Sequence, residues 1–398
     1  MEKPVRVGII GAGFAARAHL MAYQHCSHPP AEVVAIAARG RERAAALASR
    51  FSIPRVDEGA DALLARRDLD VIDVCTPNRS HAALALAALQ SGKHVFVEKP
   101  LTGYFGPPDA PAGSRVGDTP REEMLREALA SADALLAAAQ RSGKLLAYGE
   151  NLVYSPVVRR VQELAAASGG DILELRAAEC HSGSHAAYAR RWGDAGGGAL
   201  LRLGSHPIGL VLSLKRAEGL RRQGTPIEVA AVSAEVGLLG ERADGGTAFL
   251  AAGWEDVENW SATTLTFTDG SRAVCLASDV ALGGIEDGLQ VLTSRARFNV
   301  NFSHSSLLQA YAPSPEVFPG EPLQEKSHTN AGWSFPAIDA EWVYGFRAEL
   351  QDFVAAVRED RPPVSDGALG RAVVEAIYAG YLSAADGRRV VLRPVPGR

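Results

Sequence analysis

The stretch Val5-Arg-Val-Gly-Ile-Ile-Gly-Ala-Gly-Phe-Ala-Ala16 constrains the fold of this 398-residue chain more than any other. A short apolar run feeds into Gly11-Ala-Gly-Phe-Ala-Ala16, and residues 17–24 then read as helix, so strand, glycine turn and helix follow in immediate succession. Gly11 permits the tight turn, and Gly13 lets backbone approach a pyrophosphate with no Cβ in the way. Phe14 stands between them and Ala16, the small residue where helix meets strand. The arrangement predicts a dinucleotide whose phosphates sit on a helix N-terminus. With 40 glycines in the chain such a pattern arises easily by chance, so its place directly after an apolar strand is what gives it weight.

The rest of the first half keeps this rhythm. Residues 32–38 read as a second buried strand, 41–51 and 59–66 as helices, and 71–75 as a strand ending at Thr76-Pro77-Asn78. A helix follows at 81–91 and a strand at 94–98. These strands do not alternate polar with apolar, as a parallel sheet covered on both faces requires. Residues 103–120, dominated by Gly, Pro, Asp and Ser, read as a surface loop inserted before a long helix at 122–141 and a closing strand at 144–148.

A chain of this length exceeds one hydrophobic core, so a first domain is expected over 1–149 and a second over 150–398. The second has a different texture. Helix is expected at 156–167, strand at 172–180 and a glycine-rich helix start at 196–208. Short strands should then succeed one another at 227–236, 247–254, 260–268, 272–277 and 289–293, with a loop at 311–333. Amphipathic helices at 342–358 and 367–385 close the chain, and they are expected to pack back on the first domain. This reads as an α/β domain with a large, mostly antiparallel sheet open on one face, of the kind that mediates dimers.

The net charge of −5, with no basic block, argues against a nucleic-acid partner. No apolar run approaches the roughly 18 residues of a membrane span, and the N-terminus lacks a secretory pattern. The four cysteines are scattered without C-x-x-C spacing, as reduced thiols in a cytoplasmic protein would be. His181 and His185 are spaced like metal ligands, but no acidic or Cys third ligand has a clear place beside them, so no metal is expected.

Glu98-Lys99-Pro100 sits at the carboxyl end of a strand, where open α/β sheets place their ligands. A lysine there can reach the nicotinamide edge, and a proline there can hold a cis bond that fixes the turn. The plain alternative is a solvated Glu–Lys pair before a loop. The cofactor is decided at the end of the second strand, Ala37-Ala38-Arg39-Gly40-Arg41, which carries no acid to meet a ribose 2′-hydroxyl. Arg39, with Arg41 or Arg43, could pair a 2′-phosphate, so NADP is expected in preference to NAD. Merely solvated arginines are the alternative.

The glycine turn, Thr76-Pro-Asn78, Gly92-Lys-His-Val-Phe-Val-Glu-Lys-Pro-Leu101 and Gly196-Gly-Gly-Ala-Leu-Leu … Gly204-Ser-His206 come in this order, followed by Trp342-Val-Tyr-Gly-Phe346 … Asp386-Gly-Arg-Arg-Val390. Over nearly its whole length the chain thus resembles the glucose–fructose oxidoreductase/inositol dehydrogenase (Gfo/Idh/MocA) family of NAD(P)-dependent sugar oxidoreductases. The resemblance implies an N-terminal Rossmann domain with a doubly wound parallel sheet, and a C-terminal α/β domain whose open sheet joins homodimers or homotetramers. It implies hydride transfer between nicotinamide C4 and a hydroxyl carbon of a sugar, sugar acid, glycoside or cyclitol lying between the domains. Lys99 would contact substrate and cofactor, and His206 would take the hydroxyl proton. Asn78 and His81, after the third long strand, would border the nicotinamide ribose, and Ala38, Thr76, Pro77 and Glu98 would also contact the cofactor. Asn151, Tyr154, His181, His185, Tyr188 and Trp192 would line the crevice.

One departure matters: Arg202 stands where the family has an Asp, four residues before His206. On one helix the two side chains would share a face, and a guanidinium there lowers the His pKa and favours neutral imidazole. Base catalysis by His206 survives that change. Arg202 either turns away into a structural ion pair or clamps an anionic group such as a sugar carboxylate. Two other functions stay open: transient oxidation of a glycoside that permits its cleavage, and a non-catalytic NAD(P)-sensing protein.

Overall fold

The computed structural model describes residues 3–107, 111, 113–184, 186–240, 249–303, 310–317, 329, 331–334 and 340–393. In the first half β1 (Val5–Ile10), β2 (Ala31–Ala37), β3 (Val71–Val74), β4 (His94–Glu98) and β5 (Leu146–Gly149) form one sheet in the order β2-β1-β3-β4-β5. Every neighbouring pair is parallel. Parallel strands need crossovers, supplied by α1 (Phe14–Tyr23), α2 (Arg41–Phe51), α3 (Ala60–Leu64), α4 (His81–Gln90) and α5 (Arg121–Ser142). The strand order reverses between β1 and β3, so a crevice opens beyond their carboxyl ends.

The second half contributes α6 (Pro156–Ser168), α7 (Trp192–Ala195), α8 (Ala199–Arg202), α9 (Ser205–Gln223), α10 (Ala340–Val343), α11 (Phe346–Glu359) and α12 (Gly367–Asp386). Its strands are β6 (Ile172–Cys180), β7 (Val229–Gly237), β8 (Trp260–Phe267), β9 (Arg272–Ser278), β10 (Glu286–Thr293), β11 (Arg297–Asn301), β12 (Ala310–Ala312), β13 (Gly332–Ser334) and β14 (Val390–Val391). Seven of them form a sheet ordered β11-β10-β6-β9-β8-β7-β14, antiparallel throughout except where β6 meets β9. Strand alternation gives this sheet one inner face. Val291, Leu175, Ala273, Leu265 and Val232 are cross-strand partners in a row, each 0% exposed. Each larger side chain in that row contributes about 1.5–3 kcal/mol by burial, under the cover of α9 and α12. The opposite face is open, and Arg176, Val274 and Thr264 form an exposed row across it.

The last helices return to the first sheet. α11 packs on α1, with the Phe353 ring edge-on to Phe96 at 5.5 Å, and α12 packs on α5 and β5. Asp366 caps α12 by accepting from Leu369 N and grips Arg216 of α9 at 2.6 and 2.7 Å.

Several local expectations are corrected. Residues 249–254 form no strand. The 311–333 stretch expected as loop holds, in its described residues, parts of the β12–β13 pair. The helix expected over 342–358 breaks at Gly345 (φ +90°), where a Cβ would lie 2.3 Å from the Asn151 carbonyl oxygen. The described part of the 103–120 insertion packs against the second half. Tyr104 O accepts from Trp192 Nε1 at 3.1 Å, and Gly117 N donates to Asp256 Oδ2 at 2.8 Å. No helix among the described residues is long and apolar enough to cross a membrane.

Candidate active site

A cavity of about 1070 Å³ opens between the two sheets, above the range of about 300–1,000 Å³ usual for one small molecule, so it has room for two. Gly11, Ala12, Gly13, Phe14 and Ala15 line one end. Gly11 adopts φ +127°, and a Cβ there would sit 2.1 Å from the Cys75 carbonyl oxygen, so only glycine fits. At Gly13, by contrast, nothing lies within 4 Å of a built Cβ, and no side chain caps the helix it opens. An open space before uncapped helical N–H groups suits a pyrophosphate. Ala16 does not line the cavity; it is fully buried among Val7, Ile9 and Leu20, which is the packing part its small size serves.

Ala38, Arg39, Gly40 and Arg43 line the wall beyond β2. Arg41 leaves this wall for an exposed ion pair with Glu58 at 2.8 Å. Thr76, Pro77 and Asn78 line the next segment, and Asn78 Nδ2 donates across the cleft to Ala195 O at 2.8 Å. His81 is corrected from a ribose contact to a strut: buried, its ring nitrogens lie 2.8 Å from Pro100 O and 2.7 Å from Thr76 O. It thereby ties the β3 turn to the β4 turn.

The β4 turn holds Glu98 and Lys99 at the cavity wall, and the Lys99–Pro100 peptide is cis. Glu98 Oε1 lies 3.0 Å from His19 Nε2, and His19 Nδ1 lies 2.9 Å from Asp73 Oδ2. Burial alone would lower the His19 pKa, but Asp73 and the Cys75 sulfur carry it well above the usual value. Burial would likewise push the Glu98 carboxyl up, yet His19, Lys99 and His81 hold it below the usual range. Glu98 also accepts from the Lys99 backbone N–H at 3.0 Å, so this buried chain braces the turn that presents Lys99. His19 was missed in the sequence, where it reads only as a polar residue on the buried side of α1. Lys99 Nζ donates to the Arg202 carbonyl at 2.8 Å, reaching from the first half to the second.

Arg202 and His206 do not lie on one helix, which corrects the shared-face expectation. α8 ends at Arg202, the chain turns at Leu203-Gly204, and α9 begins at Ser205. Arg202 Nη2 makes a buried ion pair with Asp279, and its guanidinium lies 5.2 Å from the Trp254 ring centre. The pKa of His206 is held well below its usual value by burial, then by Lys99 and His181; Arg202 is not the cause. His206 Nδ1 lies 2.8 Å from Glu150 Oε1, and its Nε2 lies 3.8 Å from Glu179 Oε2.

Asn151, His181 and Tyr188 also line the cavity. Tyr154 and Trp192 do not. Tyr154 is buried, donating to Asp352 at 2.9 Å and accepting from Ser365 N at 2.9 Å. Trp192 is 1% exposed, its ring tilted against Tyr381 with centroids 4.7 Å apart. In both cases burial of a large aromatic outweighs display of its face. His185 lies outside the described residues. Glu150, Glu179 and Asp287 are functional candidates that went unnoticed. Glu179 and Asp287 are direct cross-strand partners of β6 and β10 on the cavity wall. Like charges directly opposite cost stability, which marks the pair as more than sheet decoration.

The family model for an oxidoreductase family with an NAD-binding Rossmann fold, GFO_IDH_MocA, matches residues 5–107. A dTDP-3,4-didehydro-2,6-dideoxy-alpha-D-glucose 3-reductase of Streptomyces violaceoruber is 34% identical over 259 residues, 64% of this chain and 68% of that protein. A UDP-N-acetylglucosamine 3-dehydrogenase of Acidithiobacillus ferrooxidans is 27% identical over 372 residues, 94% of this chain and 95% of its own. Among solved structures, GenD2 from gentamicin A biosynthesis in complex with NAD superposes with a TM-score of 0.79 at 26% identity, covering 99% of this chain and 98% of that one. With the glycine turn, the braced Lys99 and the cleft between two sheets now in place, the chain belongs to the Gfo/Idh/MocA family of NAD-binding oxidoreductases.

Proposed function

We propose that the protein is a dehydrogenase or reductase moving hydride between a hydroxyl-bearing ring carbon of a sugar and nicotinamide C4. Residues 1–149 hold the nucleotide and 150–398 hold the sugar. The observation that carries this reading is the convergence of the glycine turn, Lys99 and His206 on one cavity. Relatives named for action on nucleotide-linked sugars support the substrate class. When bound, the nicotinamide ring supplies or accepts the hydride. His206 Nε2 takes the hydroxyl proton in oxidation and returns it in reduction. Lys99 has three N–H donors and spends one on the Arg202 carbonyl. Another donates to the reacting oxygen and offsets its developing negative charge. Glu179 and Asp287 accept from neighbouring sugar hydroxyls. The open face of the seven-stranded sheet is the surface through which copies of the chain associate.

The test is formation of reduced cofactor with NAD or NADP and a panel of UDP-N-acetylglucosamine, methyl glucoside, levoglucosan and glucuronate. Because Asp279 already meets the Arg202 charge, neutral sugars turn over at least as well as glucuronate. A strong uronate preference contradicts that reading of Arg202, and no reduced cofactor with any sugar contradicts the substrate class.

The cofactor is NADP in preference to NAD, with Arg39 and Arg43 on the 2′-phosphate. A charge-assisted hydrogen bond is worth about 1.5–3 kcal/mol. Arg39→Ala alone therefore weakens NADP by roughly 10–100-fold relative to NAD, and Arg39→Ala with Arg43→Ala by more, read by fluorescence titration at fixed salt. Equal affinity of the unaltered protein for both nucleotides overturns the preference.

A further inference from the structure

The family's acid four residues before the histidine is replaced by Arg202, whose charge is taken by Asp279. His206 nevertheless has a carboxyl partner, and it comes from the junction of the two halves, far from it in sequence. Glu150 follows β5 directly, is 0% exposed, and places Oε1 2.8 Å from His206 Nδ1. Its Oε2 has no hydrogen-bond partner among the described residues, so holding His206 is the one polar contact of that side chain. The helix that carries His206 is shaped to admit it. At Gly209 a Cβ would lie 3.0 Å from Glu150 Cγ and Oε2, so a larger residue there would press on the carboxyl.

We infer that Glu150 is the positioning residue of the proton-transfer step: it accepts from His206 Nδ1–H, so that Nε2 is left bare toward the cavity as the proton acceptor. This rests on His206 being the base proposed above. The proton then passes from the substrate hydroxyl to Nε2 while the Nδ1–H bond to Glu150 persists, and the reverse passage returns it to the alkoxide. Lys99 after β4, His181 after β6, Glu179 of β6, Glu98 of β4 and Glu349 of α11 all bear on this pair. Burial first, and then Glu349, Glu179 and Glu98, push the Glu150 carboxyl well above its usual range against the pull of Lys99, while burial, Lys99 and His181 hold His206 well below its own. The hydrogen between Oε1 and Nδ1 is thus shared by two groups that both disfavour charge, and its place on Nδ1 is what the tautomer reads.

Glu150→Gln keeps the shape but cannot hold a proton, and Glu150→Asp keeps the charge but withdraws it from Nδ1. Both are compared with His206→Asn and the unaltered protein by two readouts. The first is the two-bond ¹⁵N–¹H spectrum of protein labelled at histidine, in which the His206 signals are those missing from the H206N protein. The second is kcat against pH, on whichever sugar of the panel is turned over best. The expected spectrum of the unaltered protein shows one Nδ1–H tautomer, which both Glu150 variants mix or invert. With that change kcat falls roughly 10–100-fold, KM holds and the pH profile moves. An unchanged tautomer and an unchanged pH profile in E150Q and E150D, with H206N inactive, overturn the role of Glu150 alone. Full turnover by H206N overturns the base reading beneath it. Should E150Q fail to fold, the tautomer in E150D decides.

Discussion

His206→Asn lowers kcat by roughly 10²–10⁴-fold, the usual worth of a positioned general base, while nucleotide binding is unchanged. The expectation follows from where the ring sits. His206 opens α9 beside the cavity, held on one side by Glu150 at 2.8 Å and lying near Lys99, which helps keep it neutral. Burial comes first among the causes of that neutrality, and neutral imidazole is the form with a lone pair to offer. Lys99→Met is expected to cost turnover as well, because the ammonium that offsets alkoxide charge is lost. A stopped-flow measurement of hydride transfer separates this from slower product release. Wild-type rates in H206N would remove proton transfer from this residue.

Substitutions at two glycines of the same turn, Gly11 and Gly13, separate folding from cofactor binding. Gly11→Ala is expected to destabilise the protein by about 2 kcal/mol or more, since a side chain meets both φ +127° and the Cys75 carbonyl oxygen at 2.1 Å. β1 and β3 must shift to relieve that contact, and nucleotide affinity falls with them. Gly13→Ala meets nothing within 4 Å, so its melting temperature stays near that of the unaltered protein. Its methyl group stands instead where the pyrophosphate would approach, and nucleotide binding weakens. Thermal melts with and without NADP distinguish the pair. A Gly13→Ala protein that binds nucleotide normally would place the phosphates elsewhere.

Much of the first half was legible because local chemistry decides it. Apolar strands without alternation, a glycine that must adopt positive φ and a small residue under the helix leave few folds open, and the five strands appear where the pattern put them. The second half was harder to read. The 249–254 stretch has the apolar residues of a strand but runs past Gly253 at φ +79°. The helix expected at 342–358 is cut by Gly345, whose close approach to Asn151 is a tertiary fact with no local signal. The site divides in the same way. Lys99 and His206 could be named from their motifs, whereas Glu150, Glu179 and Asp287 meet partners distant in sequence. Glu150 alone left a trace, as a charged residue immediately after a buried strand. Tyr154 and Trp192 looked like sugar-facing aromatics, but an aromatic ring in a sequence does not say which side of a wall it occupies.

The most direct measurement is a crystal structure with NADP and a turned-over sugar bound together. The account predicts the pyrophosphate at Gly13 and the reacting carbon about 3–3.5 Å from nicotinamide C4. It also predicts the hydroxyl oxygen about 2.6–3.2 Å from His206 Nε2, with Lys99 donating to it. A hydroxyl that meets neither side chain, or a nucleotide bound away from the glycine turn, would contradict it.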